Sequence, residues 1–257
     1  MPLEYLDEIV RTSRTGDLSE LFNLSFGAGD DVGNTFELFR RLRQSRPMQR
    51  CLSILLRDPA SRKLIESREP VPPHCLDSLL QLPKRTLGRS LAEIARALNY
   101  DLNFYPRPDF FHTLETDADY VNYRVLATHD IHHIVSGFAL NRAGETGVLS
   151  LSVRQFAFPG FAFIDIASLL RTWLIAEKPY RDLQTDAERI ESPRHKLECI
   201  VKGMAMGEEA QLLFPVDWQA LMDRDLEDVR QQLGIQPVRE GVMSWYSDPA
   251  LAAAVAA

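Results

Sequence analysis

The chain has 257 residues, 45% of them hydrophobic and 25% charged, with a formal net charge of −7. That length carries one large core, and the composition excludes a wholly disordered chain and a multi-span membrane protein. The acidic balance argues against nucleic acid as a partner, and the cysteines, at 51, 75 and 199, form neither a disulfide framework nor a Cys-x-x-Cys metal clip, which fits a reducing compartment.

Glu4, Asp7 and Glu8 stand where a signal or transit peptide would carry basic residues, so no cleaved targeting peptide is expected and the expected location is cytoplasmic. The first predicted helix spans 35–46, with Phe36, Leu38, Phe39 and Leu42 at helical spacing and Pro47 closing it. Helical patterns continue over 48–57, 61–66 and 76–80, with the prolines of 70–73 as an extended connector. Over 90–98, Ser90 reads as an N-cap with Glu93 three residues on. Residues 103–108 read as a loop, and a helix starting near Asp117 or Asp119 carries Val121, Val125 and His129. The alternation in 149–153 suits a strand as well as a helix. Long helices are predicted over 164–176, 193–209 and 218–233, with Gly234 as a C-terminal stop and a frayed alanine-rich tail at 248–257. No apolar run reaches the ~20 residues of a membrane span. The expected architecture is a single-domain, all-α helical bundle over 1–257, with a buried metal site beside an apolar cavity.

The informative string is Thr128-His129-Asp130-Ile131-His132-His133, followed after eleven residues by Glu145. Histidines at i and i+4 share a helix face with Cβ atoms ~5–6 Å apart, so both imidazoles reach one ion. Asp130 and Glu145 would add oxygen ligands. His129, Asp130, His133 and Glu145 are therefore the candidate metal ligands, and His132 is left as a bystander or outer donor. Nitrogen and oxygen ligands together suit zinc first, with iron, manganese or cobalt as other choices, over magnesium or calcium. Reach imposes a condition: twelve more helical residues would carry Glu145 ~18 Å from His133, so the helix must end soon after it. Gly137 supplies a stop, and Asn141-Arg142-Ala143-Gly144 supplies a second turn.

The metalloprotease motif has Glu after its first His, where this chain has Asp130. A His-Asp-class phosphohydrolase is a rival that would draw on His112 and Asp165, and it leaves the Glu145 spacing unexplained.

His-Asp-x-x-His with Glu after eleven residues resembles the signature of the coenzyme Q biosynthesis protein family Coq4. Arg57-Asp58-Pro59, the run Leu82-Pro83-Lys84-Arg85-Thr86-Leu87-Gly88-Arg89, Arg124, Gly137, Gly144-Glu145 and the stretch 225–235 extend the resemblance over about 50–236. Val125 and Leu126 depart from the more polar residues of mitochondrial members. The resemblance implies an all-helical fold whose metal faces a cavity for a polyprenylated aromatic ring. It also implies removal of the ring carboxyl at C1 with hydroxylation of that carbon, O2 being the co-substrate and the four ligands forming the catalytic centre. A non-catalytic, lipid-binding organiser of a quinone-biosynthesis complex is the alternative. The expected partners are the polyprenylated quinone precursor, other quinone-biosynthesis proteins, the surface of the inner membrane and a second copy of the chain as a homodimer. Phe156, Phe158, Phe161, Phe163, Ile164, Leu169, Leu170 and Trp173 could line the lipid pocket, and Arg40, Arg41, Arg43, Arg46, Arg50 and Arg57 could meet an anionic membrane.

Overall fold

In the computed structural model, which describes residues 4–104 and 114–256, fourteen α-helices are present and no strand, beyond two isolated bridges, Thr86 with Asp225 and Phe138 with Ser244. In chain order they are α1 Glu4–Ser13, α2 Leu18–Gly27, α3 Val32–Leu42, α4 Arg46–Leu55, α5 Pro59–Ser67, α6 Leu76–Leu79 and α7 Leu87–Ala97. Then come α8 Asp117–Ser136, α9 Glu145–Phe156, α10 Pro159–Ile175, α11 Asp186–Ile190, α12 Pro193–Glu209, α13 Leu226–Leu233 and α14 Pro249–Ala256. His112 and residues 105–108 of the expected loop lie outside the described residues.

Helix α8 is the axis of the fold. It begins at a capping box, Thr116 and Asp119 each satisfying the other's backbone N–H, and almost every residue after that is buried. Such a helix has no single apolar stripe, because it is enclosed all round. Its first half packs with α2, α3, α4 and α5 through Tyr120, Val121, Val125 and Leu126. Its second half packs with α7, α12, α13 and α14 through Ile131, Ile134 and Val135. Helix α9 contributes to both clusters, with Leu149 in one and Val148 and Leu151 in the other.

Prolines open helices here. Pro47, Pro59, Pro159, Pro193 and Pro249 each sit in a first turn, where a missing N–H costs nothing and the fixed φ is already helical. Pro47 therefore does not close a helix as expected. α3 stops at Leu42, and Ser45 caps α4 by accepting from the Met48 N–H at 3.3 Å. Helix α10 likewise starts at Pro159, ahead of the expected 164.

The structure corrects or resolves further expectations. Ser90 is not an N-cap: Thr86 is, because Leu87 N–H donates to Arg224 O and Leu226 N–H to Arg85 O, which starts α7 a turn earlier. Ser90 and Glu93 are then buried mid-helix, with Arg89 donating to Glu93 at 2.5 Å. The alternation over 149–153 belongs to a helix, α9, with two buried sides. The segment 218–233 is broken, a 3-10 turn at Gln219–Leu221 preceding α13, which Asp225 caps and Gly234 ends. The expected frayed tail carries α14 over Pro249–Ala256, with Asp248 at its N-cap and Leu251 buried in the core against α7.

Helices α9 and α12 make the closest approach in the molecule. A Cβ on Gly203 would lie 2.1 Å from the carbonyl oxygen of Gly147, a contact only glycine avoids. We expect Gly203→Ala to force the pair apart and destabilise the fold by about 1–3 kcal/mol in chemical denaturation. Leu251→Ala should cost about 2–5 kcal/mol if α14 is core, and a near-zero change would show a loosely held tail.

Candidate metal centre

His129 and His133 lie one turn apart near the end of α8, and Glu145 is the first residue of α9. The chain returns between them because α8 stops sharply. Gly137 takes the left-handed conformation (φ +79°) and donates to His133 O, and its missing side chain leaves room for the backbone of Val238. The carbonyls of the last turn all find donors. Trp245 Nε1 reaches His133 O at 3.2 Å, Arg230 reaches Ile134 O at 2.7 Å and Val135 O at 2.8 Å, and Val238 N–H reaches Ser136 O at 2.8 Å.

The reversal brings three ligand atoms, from His129, His133 and Glu145, within 4.8 Å of one another. His129 Nε2 lies 3.0 Å from Glu145 Oε1, His133 Nε2 lies 3.2 Å from Glu145 Oε2, and the two Nε2 atoms are 3.1 Å apart. The rings stand perpendicular with centroids 4.8 Å apart. His133 Nδ1 faces Phe138 O at 3.3 Å, which places its proton on Nδ1 and leaves Nε2 as a lone pair. A lone pair aimed at another imidazole nitrogen and a carboxylate needs positive charge between them, so these residues fit a divalent cation.

The electrostatics agree with that reading. Burial disfavours a charged His129, yet Glu145, by charge and hydrogen bond, and Asp130 more weakly raise its pKa above the ordinary value. Burial also disfavours the Glu145 carboxylate, but His129 and His133 draw its pKa well below the usual range. The imidazoles are walled in, the His133 side chain being 2% exposed, whereas the Glu145 side chain is 41% exposed. The centre is closed behind the histidines, and Glu145 is the least enclosed of the three side chains.

Asp130 stands outside this cluster of three. Its carboxylate is hydrogen-bonded to Tyr100, and burial raises its pKa against the pull of His129, His133 and that bond. His132 turns away from the cluster, its ring 5.5 Å from that of Trp218, and burial followed by the positive charge of His129, His133 and Arg124 pushes its pKa to about 3. Asp165 accepts from Ser150 Oγ at 2.7 Å, and burial holds its pKa well above the ordinary carboxylate value.

The proposed apolar lining divides. Phe156, Phe158 and Phe161 are core, and the Phe161 ring lies 5.4 Å from His129, so it walls the site. Leu170 and Trp173 face outward. They join Ile166, Leu174 and Ile175 on α10 and Leu197, Val201 and Met204 on α12 in an exposed apolar face, beside a groove of about 720 Å³ lined by Trp173, Tyr180, Leu183, Pro193 and Leu197. Among the arginines, Arg40 and Arg41 pair with Glu37, Arg41 also with Glu20, and Arg43 with Asp119, so half of that run is neutralised within the fold. Tyr100 went unrecognised in the sequence, as did His195, Lys196 and Cys199 on α12, for which the i, i+4 spacing of His195 and Cys199 was the available signal.

The family model for the coenzyme Q (ubiquinone) biosynthesis protein Coq4 matches residues 42–239. Among solved structures, the chain resembles the crystal structure of a Nostoc punctiforme protein assigned to ubiquinone biosynthesis. The TM-score is 0.70 at 23% identity, covering 86% of this chain and 97% of that one, a likeness that shows the shared fold. No curated protein matches the chain. With a match over most of its length and an all-helical fold, the chain belongs to the Coq4 family of coenzyme Q (ubiquinone) biosynthesis proteins.

Proposed function

We propose that this chain is a metal-dependent enzyme of quinone biosynthesis that removes the C1 carboxyl of a polyprenylated hydroxybenzoate ring and hydroxylates that carbon. The observation that carries the reading is the convergence of His129, His133 and Glu145 on one point, walled in at both imidazoles and least enclosed at Glu145. A divalent cation there, zinc first and iron, manganese or cobalt otherwise, would act as a Lewis acid toward a carboxylate or phenolate. Glu145 and Asp130 supply two negative charges that balance such an ion, Asp130 either as a fourth ligand or from beside it. His133 is held in the ligating tautomer by Phe138 O, and Phe161 excludes water from the histidine side. The atoms balance with O2 as co-substrate: the carboxyl leaves as CO2, one oxygen atom goes to C1, and the other leaves as water with two further ring electrons, giving a quinone-level product.

A lipid-binding role rests on a separate observation, the exposed apolar face of α10 and α12, on which Trp173 and Leu174 are each 72% exposed. This face supports peripheral contact with a membrane better than the arginine run does, since half of that run is already paired. Among the described residues no helix is long and apolar enough to cross a membrane. Asp165, tied to Ser150 and outside the ligand cluster, lends the phosphohydrolase reading no support.

Two measurements test these readings. Incubated with a carboxylated prenylphenol and O2, the metal-loaded protein should yield the decarboxylated, hydroxylated product by mass, and His133→Ala and Glu145→Ala should fall to background while keeping their helical circular dichroism. Normal turnover by a metal-free Glu145→Ala protein would end the enzyme reading. In co-sedimentation with phosphatidylcholine–phosphatidylglycerol vesicles, W173E/L174E should bind about tenfold or more weakly, given ~1.5–3 kcal/mol for each apolar side chain withdrawn from lipid. Unchanged binding would remove this face from membrane contact.

A further inference from the structure

The turn that delivers Glu145 is fixed internally and then gripped from outside. Within it, the N–H groups of Gly144 and Glu145 both donate to Asn141 O at 3.0 Å, and Ala143 N–H donates to Asn141 Oδ1 at 2.8 Å. These bonds set the shape of the turn but not its place in the molecule. Its place is set by three consecutive contacts from α12. His195 Nε2 donates to Ala143 O at 2.8 Å, Cys199 Sγ donates to the same oxygen at 3.3 Å, and Lys196 Nζ donates to Arg142 O at 3.1 Å.

All three side chains are buried. The Ala143 oxygen accepts two donors, the number its two lone pairs allow. Burial lowers the pKa of His195, which keeps it neutral with its Nε2–H free to donate, and pushes the Cys199 thiol up to about 12, which keeps its S–H. A buried ammonium is expensive where a methionine of similar shape would pack without cost, so the placement of Lys196 asks for a reason beyond filling space. It lies within electrostatic reach of Glu145 and Glu191. The near contact of Gly203 with Gly147 is what lets α12 come close enough for these donors to reach the turn.

We propose that His195, Lys196 and Cys199 are positioning residues for the metal ligand Glu145, holding the Arg142 and Ala143 carbonyls so that the carboxylate meets His129 and His133 at one point. This rests on the metal reading proposed above. The peptide planes at 142 and 143 lead through Gly144 into Glu145, so a small rotation there swings its carboxylate away from both imidazoles. Outer partners of metal ligands typically tune affinity by about 10–100-fold.

The test uses cobalt(II) alone as probe, read by competition against a coloured chelator and by its visible absorption band, with thermal melting as a check on folding. Lys196→Met and His195→Phe keep the volume and remove the donor. Both should weaken cobalt binding by on the order of tenfold or more and shift the band, whereas Lys196→Arg and His195→Gln, which keep a donor, should stay near wild type. Lys196→Met and His195→Phe proteins that fold and bind cobalt with wild-type affinity and band would overturn the clamp. If His195→Phe fails to fold, Lys196→Met, whose stem matches lysine, decides the matter. Glu145→Ala separates the two levels: if it binds cobalt as wild type does, the metal reading falls and the clamp with it. If Glu145→Ala loses cobalt while Lys196→Met does not, the clamp alone falls.

Discussion

The structure depends on how helix α8 ends. Its last four carbonyls would be orphaned in a buried place, and each is met by a donor: Gly137 N–H and the Trp245 indole at His133 O, the Arg230 guanidinium at Ile134 O and Val135 O, and Val238 N–H at Ser136 O. An unmet buried carbonyl costs about 1–3 kcal/mol, so a looser ending would be strongly disfavoured. Fixing that end fixes His133 and turns the chain back toward α9. Arg230 is itself buried, and its pairing with Glu227 and Tyr246 completes the polar network that makes the stop affordable.

A helix enclosed on every side joins two apolar clusters, and it carries four titratable residues in succession save one, from His129 to His133. Such polar groups in a core are tolerated when paired, and His129 and His133 are paired through Glu145. An ion held by these three side chains binds the folded chain and not the unfolded one, which lacks the α8 stop and the α9 turn. Binding and folding are therefore linked, and whatever steadies the turn before Glu145 also steadies the site.

Much of this was legible in the sequence for a simple reason. The histidine spacing, Gly137 and the turn at 141–144 are local signals, and local signals survive tertiary packing. The features that were misread are those decided by distant residues. Ser90 looked like a cap, but Leu87 pairs with Arg224 and Arg85 with Leu226, 137 and 141 positions away by sequence number. The alternating Leu149-Ser150-Leu151-Ser152 left helix and strand open because α9 is buried on two sides, with α12 against a face where small residues are required. The arginine run looked free because Glu20 and Asp119 are remote in sequence. Asp130 was counted with the ligands from its place beside His129, but one residue along a helix is a rotation of about 100°, and the bond its carboxylate makes with Tyr100 depends on a segment remote in sequence.

Helix α12 ties the interior of the molecule to its surface. Its inward side bears His195, Lys196 and Cys199, whose donors end on the turn before Glu145, and its outward side bears Leu197, Val201 and Met204 at i, i+4 and i+7. Between these sides runs one helix packed against α9 at glycine distance, so a displacement of α12 would carry with it the donors that hold the Ala143 carbonyl. The geometry of the ligand set and the contact state of the apolar face are thus properties of one element. Under the function proposed above, an exposed apolar face on the helix that holds the turn before Glu145 would suit a chain that draws an apolar substrate from its surroundings to the site.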